Sequence, residues 1–375
     1  MKIILTGGHL TPALAVIEEL SSKGRSASGR KSHKILFIGR KYALEGDPAL
    51  SLEYKTINSL KIPFASITTG RLQRIFTRHT IPSLFKIPFG FIQAFKIVND
   101  FRPDVVLGFG GYLSLPVIFS AFFLRIPIVI HEQTLDGGIA NRIASKFAQK
   151  ICISWETSQR FFPKEKTVLT GNPIKAELLK SKIKNQKSKI IYITGGSLGS
   201  HVINILVEGS IEKLLQKFNI IHQTGEAKEY NDFERLQALK NNLPGDLKKR
   251  YVLKKFLNSF EVSRAITNSD LVVSRAGINT ICEIMFLQKP SLLIPISFSS
   301  EQARNALFLK KLGLAEVFLE KNLTSVKFQN AIESMTKNIE IYKKNIHAAK
   351  SLIKKDAAKK IARVVTYVAA KTSNK

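Results

Sequence analysis

The fold class is decided by a strand-to-helix junction, Ile190-Ile191-Tyr192-Ile193-Thr194-Gly195-Gly196-Ser197-Leu198-Gly199-Ser200. Its first five residues form the apolar, β-branched run expected of a strand that is covered on both faces. The glycines that follow suit a tight turn, because a residue without Cβ adopts backbone conformations closed to other residues. A strand that ends in a glycine turn before a helix predicts a βα unit with a parallel sheet.

The first half of the chain contains similar junctions at Leu5-Thr6-Gly7-Gly8-His9 and at Gly108-Phe109-Gly110-Gly111. The predicted strands are Lys2–Leu5, Lys34–Ile38, Val105–Gly108, Ile126–Ile130, Ile151–Ser154, a run from Ile190, Ile220–His222, Leu271–Ser274 and Ser291–Pro295. Helical patterns lie between several of them, so we predict two Rossmann-like, doubly wound α/β domains. Ligands of such sheets bind beyond the carboxyl ends of the strands, so we expect the two domains to face a ligand cleft.

The domain boundary is predicted near residues 165–189. The strand–helix alternation breaks at Gly171-Asn172-Pro173, and a polar stretch follows. We therefore expect one domain over residues 1–170, a second over 171–342, and a basic C-terminal helix over 343–375.

The composition is that of a globular protein with a large positive charge. The 375 residues include 58 Lys and Arg against 28 Asp and Glu, a formal net charge of +30. Such a surplus predicts attraction to nucleic acid, anionic lipid or a phosphorylated substrate. The two cysteines exclude a disulfide-dense scaffold and indicate reduced thiols in the cytosol. No metal-ligand spacing, dinucleotide fingerprint or P-loop is present, so we expect neither a metal nor a cofactor.

Membrane insertion is not expected. The apolar run 113–130 contains Arg125 and two prolines, whereas a span needs about 20 residues with few charges. The apolar start of the chain is too short for a signal peptide.

An ordered set of motifs resembles a known family over residues 1–315. The matching segments are Thr6-Gly7-Gly8-His9, Pro12–Val16, Pro103–Tyr112, His131-Glu132-Gln133, Gly171-Asn172-Pro173, Gly195–Gly199, Ser274–Glu283 and Glu301–Ala306. They are similar to the bacterial cell-wall glycosyltransferases that move N-acetylglucosamine (GlcNAc) from UDP-GlcNAc to undecaprenyl-pyrophosphoryl-MurNAc-pentapeptide (lipid I), which forms lipid II. The resemblance implies the glycosyltransferase-B architecture, an N-terminal acceptor and membrane-docking domain, a C-terminal donor domain and a last helix that returns to the first domain.

Three features depart from the family pattern. Ile4-Leu5 continue the strand where the family usually has two more glycines, and Thr134 stands where asparagine commonly follows His-Glu-Gln. The basic insertion at residues 21–34 is longer than expected, and a solvated loop is its simplest interpretation.

The resemblance implies a set of residues that bind UDP-GlcNAc. They are Thr6, Gly7, Gly8, Thr134, Lys175, Ser197, Leu257, Ile278, Asn279, Thr280, Ile281, Cys282, Glu283 and Gln302. Ser197 and the following helix N-terminus suit the diphosphate. By resemblance Glu283 accepts from the ribose hydroxyls, Leu257 contacts uracil through its backbone, and Gln302 reads the sugar hydroxyls.

His9 is the predicted general base, because imidazole titrates closest to neutral pH. A hydrogen-bonded structural histidine is the alternative for this position. Glu132 is the second candidate base, or else a residue that orients the acceptor loop.

A basic, apolar segment at Ile81–Val98 is predicted to dock on an anionic membrane. Phe91, Ile92, Phe95 and Val98 share one helical face, and the flanking cations are Arg71, Arg74, Arg78, Lys86, Lys96 and Arg102. A core-facing helix with a solvated basic rim is the alternative. The docking interpretation predicts a peripheral enzyme on the cytoplasmic face of the cell membrane.

Two other functions are compatible with parts of the sequence. One is a glycosyltransferase of the same fold that acts on another lipid, such as a diacylglycerol. The other is a non-enzymatic nucleic-acid-binding protein, which would explain the net charge. No nucleic-acid motif is present and the basic residues are dispersed over both halves, so we expect no nucleic-acid partner.

Overall fold

The chain forms two compact α/β units. The computed structural model describes residues 1–23, 33–42, 50–68, 80–174, 189–227 and 229–373. One unit comprises Met1–Lys175 with Lys354–Lys375, and the other comprises Ala176–Ile353. Each unit has a parallel sheet of its own, so the prediction of two doubly wound α/β domains is confirmed.

The first unit has a seven-stranded parallel sheet in the order β3-β2-β1-β4-β5-β6-β7. Its strands are β1 Lys2–Thr6, β2 Lys34–Gly39, β3 Phe64–Ser66, β4 Val105–Gly108, β5 Ile128–Glu132, β6 Lys150–Ile153 and β7 Thr167–Leu169. Its helices are α1 Leu10–Lys23, α2 Leu52–Ser59, α3 Thr80–Phe101, α4 Ser114–Phe123 and α5 Ile139–Ala144. The strand order places the ends of β1, β4 and β5 side by side, which brings their glycine-rich and polar loops together.

Alternate side chains of β1 reach two different cores. Ile3 and Leu5 pack with Val16 of α1. Ile4 packs instead with Val98 of α3 and Val117 of α4. The sheet is thus covered on both faces, which explains its near-continuous apolar strands.

The second unit has a six-stranded parallel sheet in the order β10-β9-β8-β11-β12-β13. Its strands are β8 Ile190–Thr194, β9 Asn219–Gln223, β10 Tyr251–Lys254, β11 Leu271–Ser274, β12 Ser291–Leu293 and β13 Ala315–Val317. Its helices are α6 His201–Glu208, α7 Ile211–Lys217, α8 Asp232–Asn242, α9 Gly245–Arg250, α10 Ser259–Asn268, α11 Ile278–Phe286, α12 Ser300–Lys311, α13 Ser325–Lys337 and α14 Ile339–Ala349. β8 and β11 are central, so the loops that follow them are neighbours.

The C-terminal region is divided between the two units. Residues up to Ile353, including α14 and the 3-10 turn Lys350–Leu352, belong to the second unit, whereas the expected returning helix began at residue 343. The last helix, α15 (Ala357–Ser373), packs in the first unit, where Ile361 and Val365 join the core of α1. The segment that joins the first unit therefore starts later than the sequence pattern indicated.

The apolar run 113–130 forms α4 and the start of β5, two elements of the α/β core of the first unit. Among the described residues, no helix combines the length and the apolarity that a membrane span requires.

Candidate active site

Two glycine loops of the first unit meet backbone to backbone at the carboxyl edge of the sheet. The Gly8 N–H donates to the Gly110 carbonyl at 3.0 Å. Gly7 has φ +138°, and a Cβ there would lie 2.8 Å from the Gly110 oxygen. A side chain at position 7 would therefore separate the loop after β1 from the loop after β4.

His9 directly precedes α1 and is neutral at physiological pH. Desolvation lowers the pKa of its imidazole to about 4. A neutral imidazole can accept a proton through its unprotonated nitrogen, as the predicted base must. His9 can therefore accept a proton at neutral pH, but a pKa of about 4 makes it a weaker base than an ordinary imidazole.

His131 is a second buried, neutral histidine in the first unit. Burial lowers the pKa of its ring to about 3, and the nearby His9 contributes to the shift. Its Nε2 lies 3.1 Å from the Ser154 hydroxyl and 3.4 Å from the Gly171 carbonyl. The Nδ1 atom of His131 has no hydrogen-bond partner among the described residues. The electrostatic effect of His9 on this ring indicates that the two histidines belong to the same region of the first unit.

Both oxygens of the Glu132 carboxylate accept hydrogen bonds from groups of the first unit. Its Oε1 accepts from the Thr134 N–H at 2.8 Å and from the Thr134 hydroxyl at 2.7 Å. Its Oε2 accepts from the Gly138 N–H at 2.8 Å and from Asn141 Nδ2 at 3.0 Å. Four hydrogen bonds on a buried carboxylate favour the second of its two expected roles, the ordering of the loop between β5 and α5.

The buried histidines predict a specific loss of stability in acid. The pKa of His222 in the second unit is lowered to about 3 by desolvation, from an ordinary 6.5. Below about pH 6.5 the His222 imidazole is protonated in the unfolded chain but stays neutral in the folded chain. The free energy of unfolding therefore falls as the pH drops towards 3. At pH 5 this costs about 2 kcal/mol for each such histidine. Urea unfolding at pH 7 and pH 5 should therefore show a smaller pH effect in His222→Gln than in the unaltered chain. An equal pH effect in both proteins would contradict the assignment of a neutral, buried His222.

The loop after β8 has the geometry of an anion-binding turn. Gly196 has φ +89° and is exposed, and Ser200 caps α6 by accepting from the Ile203 N–H at 3.3 Å. A Cβ at Gly199 would lie 2.0 Å from the Thr224 carbonyl, so only glycine fits against the loop after β9. Ser197 is exposed in the middle of this turn, at the positive end of α6.

The N-terminus of α11 follows β11 next to this loop. Because Gly277 caps the helix, the N–H groups of Ile278, Asn279 and Thr280 lie in its first turn, where no intrahelical carbonyl is available to them. These three predicted residues can therefore donate to a ligand.

Ile281 and Cys282 lie beyond the first three residues of α11, whose N–H groups have no carbonyl partner within the helix. Both side chains are buried, and the Ile281 N–H donates to the Gly277 carbonyl at 3.0 Å. The structure therefore favours a packing role over the direct UDP-GlcNAc contact expected for them. Glu283, the next residue of the helix, is 8% exposed and acts electrostatically on the Tyr192 phenol, which desolvation and this carboxylate hold above its ordinary pKa.

Leu257 and Gln302 lie on two other loops at the carboxyl edge of the second sheet. Leu257 is buried after β10, next to the helix-capping residue Asn258, so only its backbone is suited to contact a base. Gln302 lies in the first turn of α12, where its Oε1 accepts from the Ile296 N–H at 3.2 Å. Its amide nitrogen is the group that can donate to a sugar hydroxyl.

The structure groups the predicted residues by unit. Thr6, Gly7, Gly8 and Thr134 lie at the carboxyl edge of the first sheet, together with His9 and Glu132. The members at the corresponding edge of the second sheet are Ser197, Leu257, Ile278, Asn279, Thr280, Glu283 and Gln302. Lys175 and most of the basic insertion at 21–34 lie outside the described residues.

The predicted apolar face of α3 is partly wrong. Val98 is fully buried, and the Phe91 ring packs on Phe119 of α4 with centroids 5.6 Å apart. Ile92 and Phe95 are exposed, as predicted. Arg71, Arg74 and Arg78 lie outside the described residues. Helical spacing alone did not identify the inward face, because α3 is apolar almost all round.

An exposed apolar surface nevertheless remains on the first unit, and we call it the docking face. It consists of Phe89, Ile92 and Phe95 on α3 and Phe122 and Phe123 on α4. Lys96, Arg102 and Arg125 are exposed on or directly after the same two helices. Exposed apolar side chains on two neighbouring helices, with cations on or directly after the same helices, are typical of an interaction site.

Two family models match the chain. The Glycosyltransferase family 28 N-terminal domain matches residues 3–153, and the Glycosyltransferase family 28 C-terminal domain matches residues 190–361.

Solved structures share the fold. Acinetobacter baumannii MurG superposes with a TM-score of 0.71 at 24% identity, covering 98% of this chain and 99% of that chain. UDP-GlcNAc 2-epimerase from Neisseria meningitidis superposes with a TM-score of 0.67 at 17% identity, covering 98% and 100%. At these identities the likeness shows the fold alone.

Sequence relatives are more informative. A Clostridium botulinum (strain Loch Maree / Type A3) protein is 34% identical over 366 residues, which span 93% of this chain and 95% of that protein. A Clostridium novyi (strain NT) protein is 34% identical over 364 residues, spanning 93% and 94%. Both are named UDP-N-acetylglucosamine--N-acetylmuramyl-(pentapeptide) pyrophosphoryl-undecaprenol N-acetylglucosamine transferase. The chain belongs to this family of glycosyltransferases.

Proposed function

We propose that this chain transfers GlcNAc from UDP-GlcNAc to lipid I, with inversion at the anomeric carbon, and thereby forms lipid II for peptidoglycan. The observation that carries the proposal is 34% identity to named transferases over 93% of the chain. The site geometry supports it, because one unit has an anion-binding glycine turn and the other a neutral histidine beside a glycine loop.

The second unit is proposed to bind the donor. The first-turn N–H groups of α6 and α11 form the positive ends of two helix dipoles, which suits a diphosphate leaving group. Ser197 adds a hydroxyl donor, the Glu283 carboxylate is the proposed acceptor for the ribose diol, and Gln302 contacts the sugar. Leu257 offers its backbone to the uracil edge.

The first unit is proposed to supply the base. The acceptor hydroxyl attacks the anomeric carbon as its proton passes to His9, and the bond from that carbon to the UDP oxygen breaks. The charge that develops on UDP is stabilised by fixed N–H donors, which need no reorganisation during the reaction. Glu132 keeps Thr134 and the loop after β5 in place.

The docking face is proposed to hold the enzyme peripherally on the cytoplasmic side of the membrane, where a lipid-linked acceptor is accessible. Ile92 and Phe123 are 68% and 71% exposed, so both can enter the headgroup region. Each nearby Lys or Arg adds about 1 kcal/mol of attraction to an anionic surface, an effect that salt screens.

Vesicle binding tests the docking face. Ile92→Ser with Phe123→Ser should reduce co-sedimentation with phosphatidylglycerol vesicles at both low and high salt, because insertion of apolar groups is not screened. Lys96→Gln with Arg125→Gln should reduce it mainly at low salt. Val326→Ser with Ile341→Ser, which changes equally exposed apolar residues of the second unit, is the matched control. Unchanged binding by both docking-face variants would show that another surface contacts the lipid.

Substrate preference tests the proposed reaction. Purified protein should transfer labelled GlcNAc from UDP-GlcNAc to lipid I, and should use UDP-glucose, UDP-GalNAc and diacylglycerol poorly. Preferred transfer to diacylglycerol would instead support a glycosyltransferase of the same fold with another lipid acceptor.

A further inference from the structure

A largely, but not fully, buried ion pair joins two loops at the carboxyl edge of the second sheet. Arg275 Nη2 lies 2.5 Å from Glu320 Oε1, and the two side chains are 14% and 16% exposed. Arg275 directly follows β11, and Glu320 begins the 3-10 turn Glu320–Asn322 after β13. Desolvation offsets much of the attraction within a buried pair, so net stability is a weak reason for such a pair and a positional role is the better one.

Both charged groups also hold the loop that follows β12. Arg275 Nη1 donates to the Ile294 carbonyl at 3.0 Å. Glu320 Oε2 accepts from the Ser297 N–H at 3.0 Å and from the Ser297 hydroxyl at 2.5 Å. We call Arg275, Glu320 and Ser297 the clasp.

The clasp keeps Glu320 ionised. Partial burial by itself would raise the pKa of this carboxyl, but the hydrogen bonds from Ser297 and the contact with Arg275 outweigh it and lower the pKa. The carboxylate therefore remains a charged acceptor at physiological pH.

The loop held by the clasp leads into the residue proposed to read the sugar. The Ile296 N–H donates to Gln302 Oε1 at 3.2 Å, which fixes the side chain of Gln302 relative to the loop. Beyond the buried Ile294, apolar packing contributes little to this loop, because Ile296 is 43% and Phe298 99% exposed. Polar contacts with the clasp therefore set its position.

We propose that Glu320 is a positioning residue. It acts through Arg275 and Ser297 to hold the side chain of Gln302 where it can contact the sugar of the nucleotide donor. The inference rests on the proposed function, since it names what makes the donor site selective for the sugar. The uridine and diphosphate contacts are proposed for α6, α11 and Leu257. Arg275 precedes α11 in the chain, but the hydrogen bonds of Glu320 to Ser297 belong to the loop after β12 and not to these elements. Loss of the clasp should therefore weaken sugar recognition and leave UDP recognition intact.

Calorimetric titration of the full chain with UDP-GlcNAc and with UDP separates sugar recognition from UDP recognition. Glu320→Ala should lower affinity for UDP-GlcNAc about tenfold, as expected when a hydrogen bond to a charged group is lost, with UDP affinity unchanged. Ser297→Ala removes one hydroxyl from the clasp and should shift UDP-GlcNAc affinity in the same direction by less. Glu333→Ala breaks an exposed ion pair to Lys217 at the opposite edge of the sheet and should change neither affinity.

Two results would overturn the inference. One is an unchanged affinity for UDP-GlcNAc in both Glu320→Ala and Ser297→Ala. The other is an equal loss of affinity for UDP and for UDP-GlcNAc, which would show that the clasp has only a structural role. Failure of the unaltered chain to bind UDP-GlcNAc would instead contradict the proposed function itself.

Discussion

His9→Ala is expected to lower kcat by about 10²–10⁴, with little change in the affinity for UDP-GlcNAc. The imidazole is neutral at pH 7 because desolvation lowers its pKa to about 4, so it can take the proton of the attacking hydroxyl. A group that acts mainly in the transition state changes kcat more than binding. Steady-state transfer to lipid I and calorimetry with UDP-GlcNAc measure the two effects separately.

His33→Ala is the matched control, since His33 is also a partly buried histidine of the first unit but lies directly before β2, at the amino end of that strand. It should retain most of kcat. Normal turnover by His9→Ala would make His9 a structural residue of the first glycine loop, and the base would have to be sought elsewhere in the first unit.

Glu283→Ala is expected to weaken binding of both UDP and UDP-GlcNAc. The ribose hydroxyls would lose a charged acceptor, a change of about 1.5–3 kcal/mol, or roughly tenfold to a hundredfold in affinity. Because the two ligands share the ribose, they should lose affinity equally, in contrast to the clasp variants.

Glu234→Ala removes an exposed helix carboxylate that pairs with Lys255, and it serves as the control. Thermal unfolding of Glu283→Ala should be recorded as well, since this carboxylate is largely buried. Unchanged affinity for UDP in a folded Glu283→Ala protein would remove Glu283 from the donor site.

The central strands of both sheets could be predicted from the sequence, whereas the outermost strand on each side could not. Every strand that the apolar runs predicted is found, with ends shifted by a few residues. The four strands that were missed are Phe64–Ser66, Thr167–Leu169, Tyr251–Lys254 and Ala315–Val317, the two edges of each sheet. An edge strand is short and less fully covered, so its sequence lacks the continuous apolar run of a central strand.

The glycine loops could be predicted from the sequence, whereas the clasp could not. Glycines such as Gly7 and Gly199 occur where another backbone approaches closely, and that requirement is visible in the local sequence. Glu320 is distant from Arg275 along the chain and belongs to no recognised motif. Only the sheet order, which places β13 beside β12 and β12 beside β11, brings the two together.

The coupling of donor cleavage to acceptor glycosylation tests the central claim most directly. Purified protein should be mixed with UDP-GlcNAc and lipid I in the presence of EDTA, and UDP and lipid II should be counted in the same samples. The account predicts one lipid II for each UDP released, at an undiminished rate, because fixed N–H donors stabilise the leaving group. Release of UDP without lipid II, or formation of lipid II only after a divalent ion is restored, would contradict it.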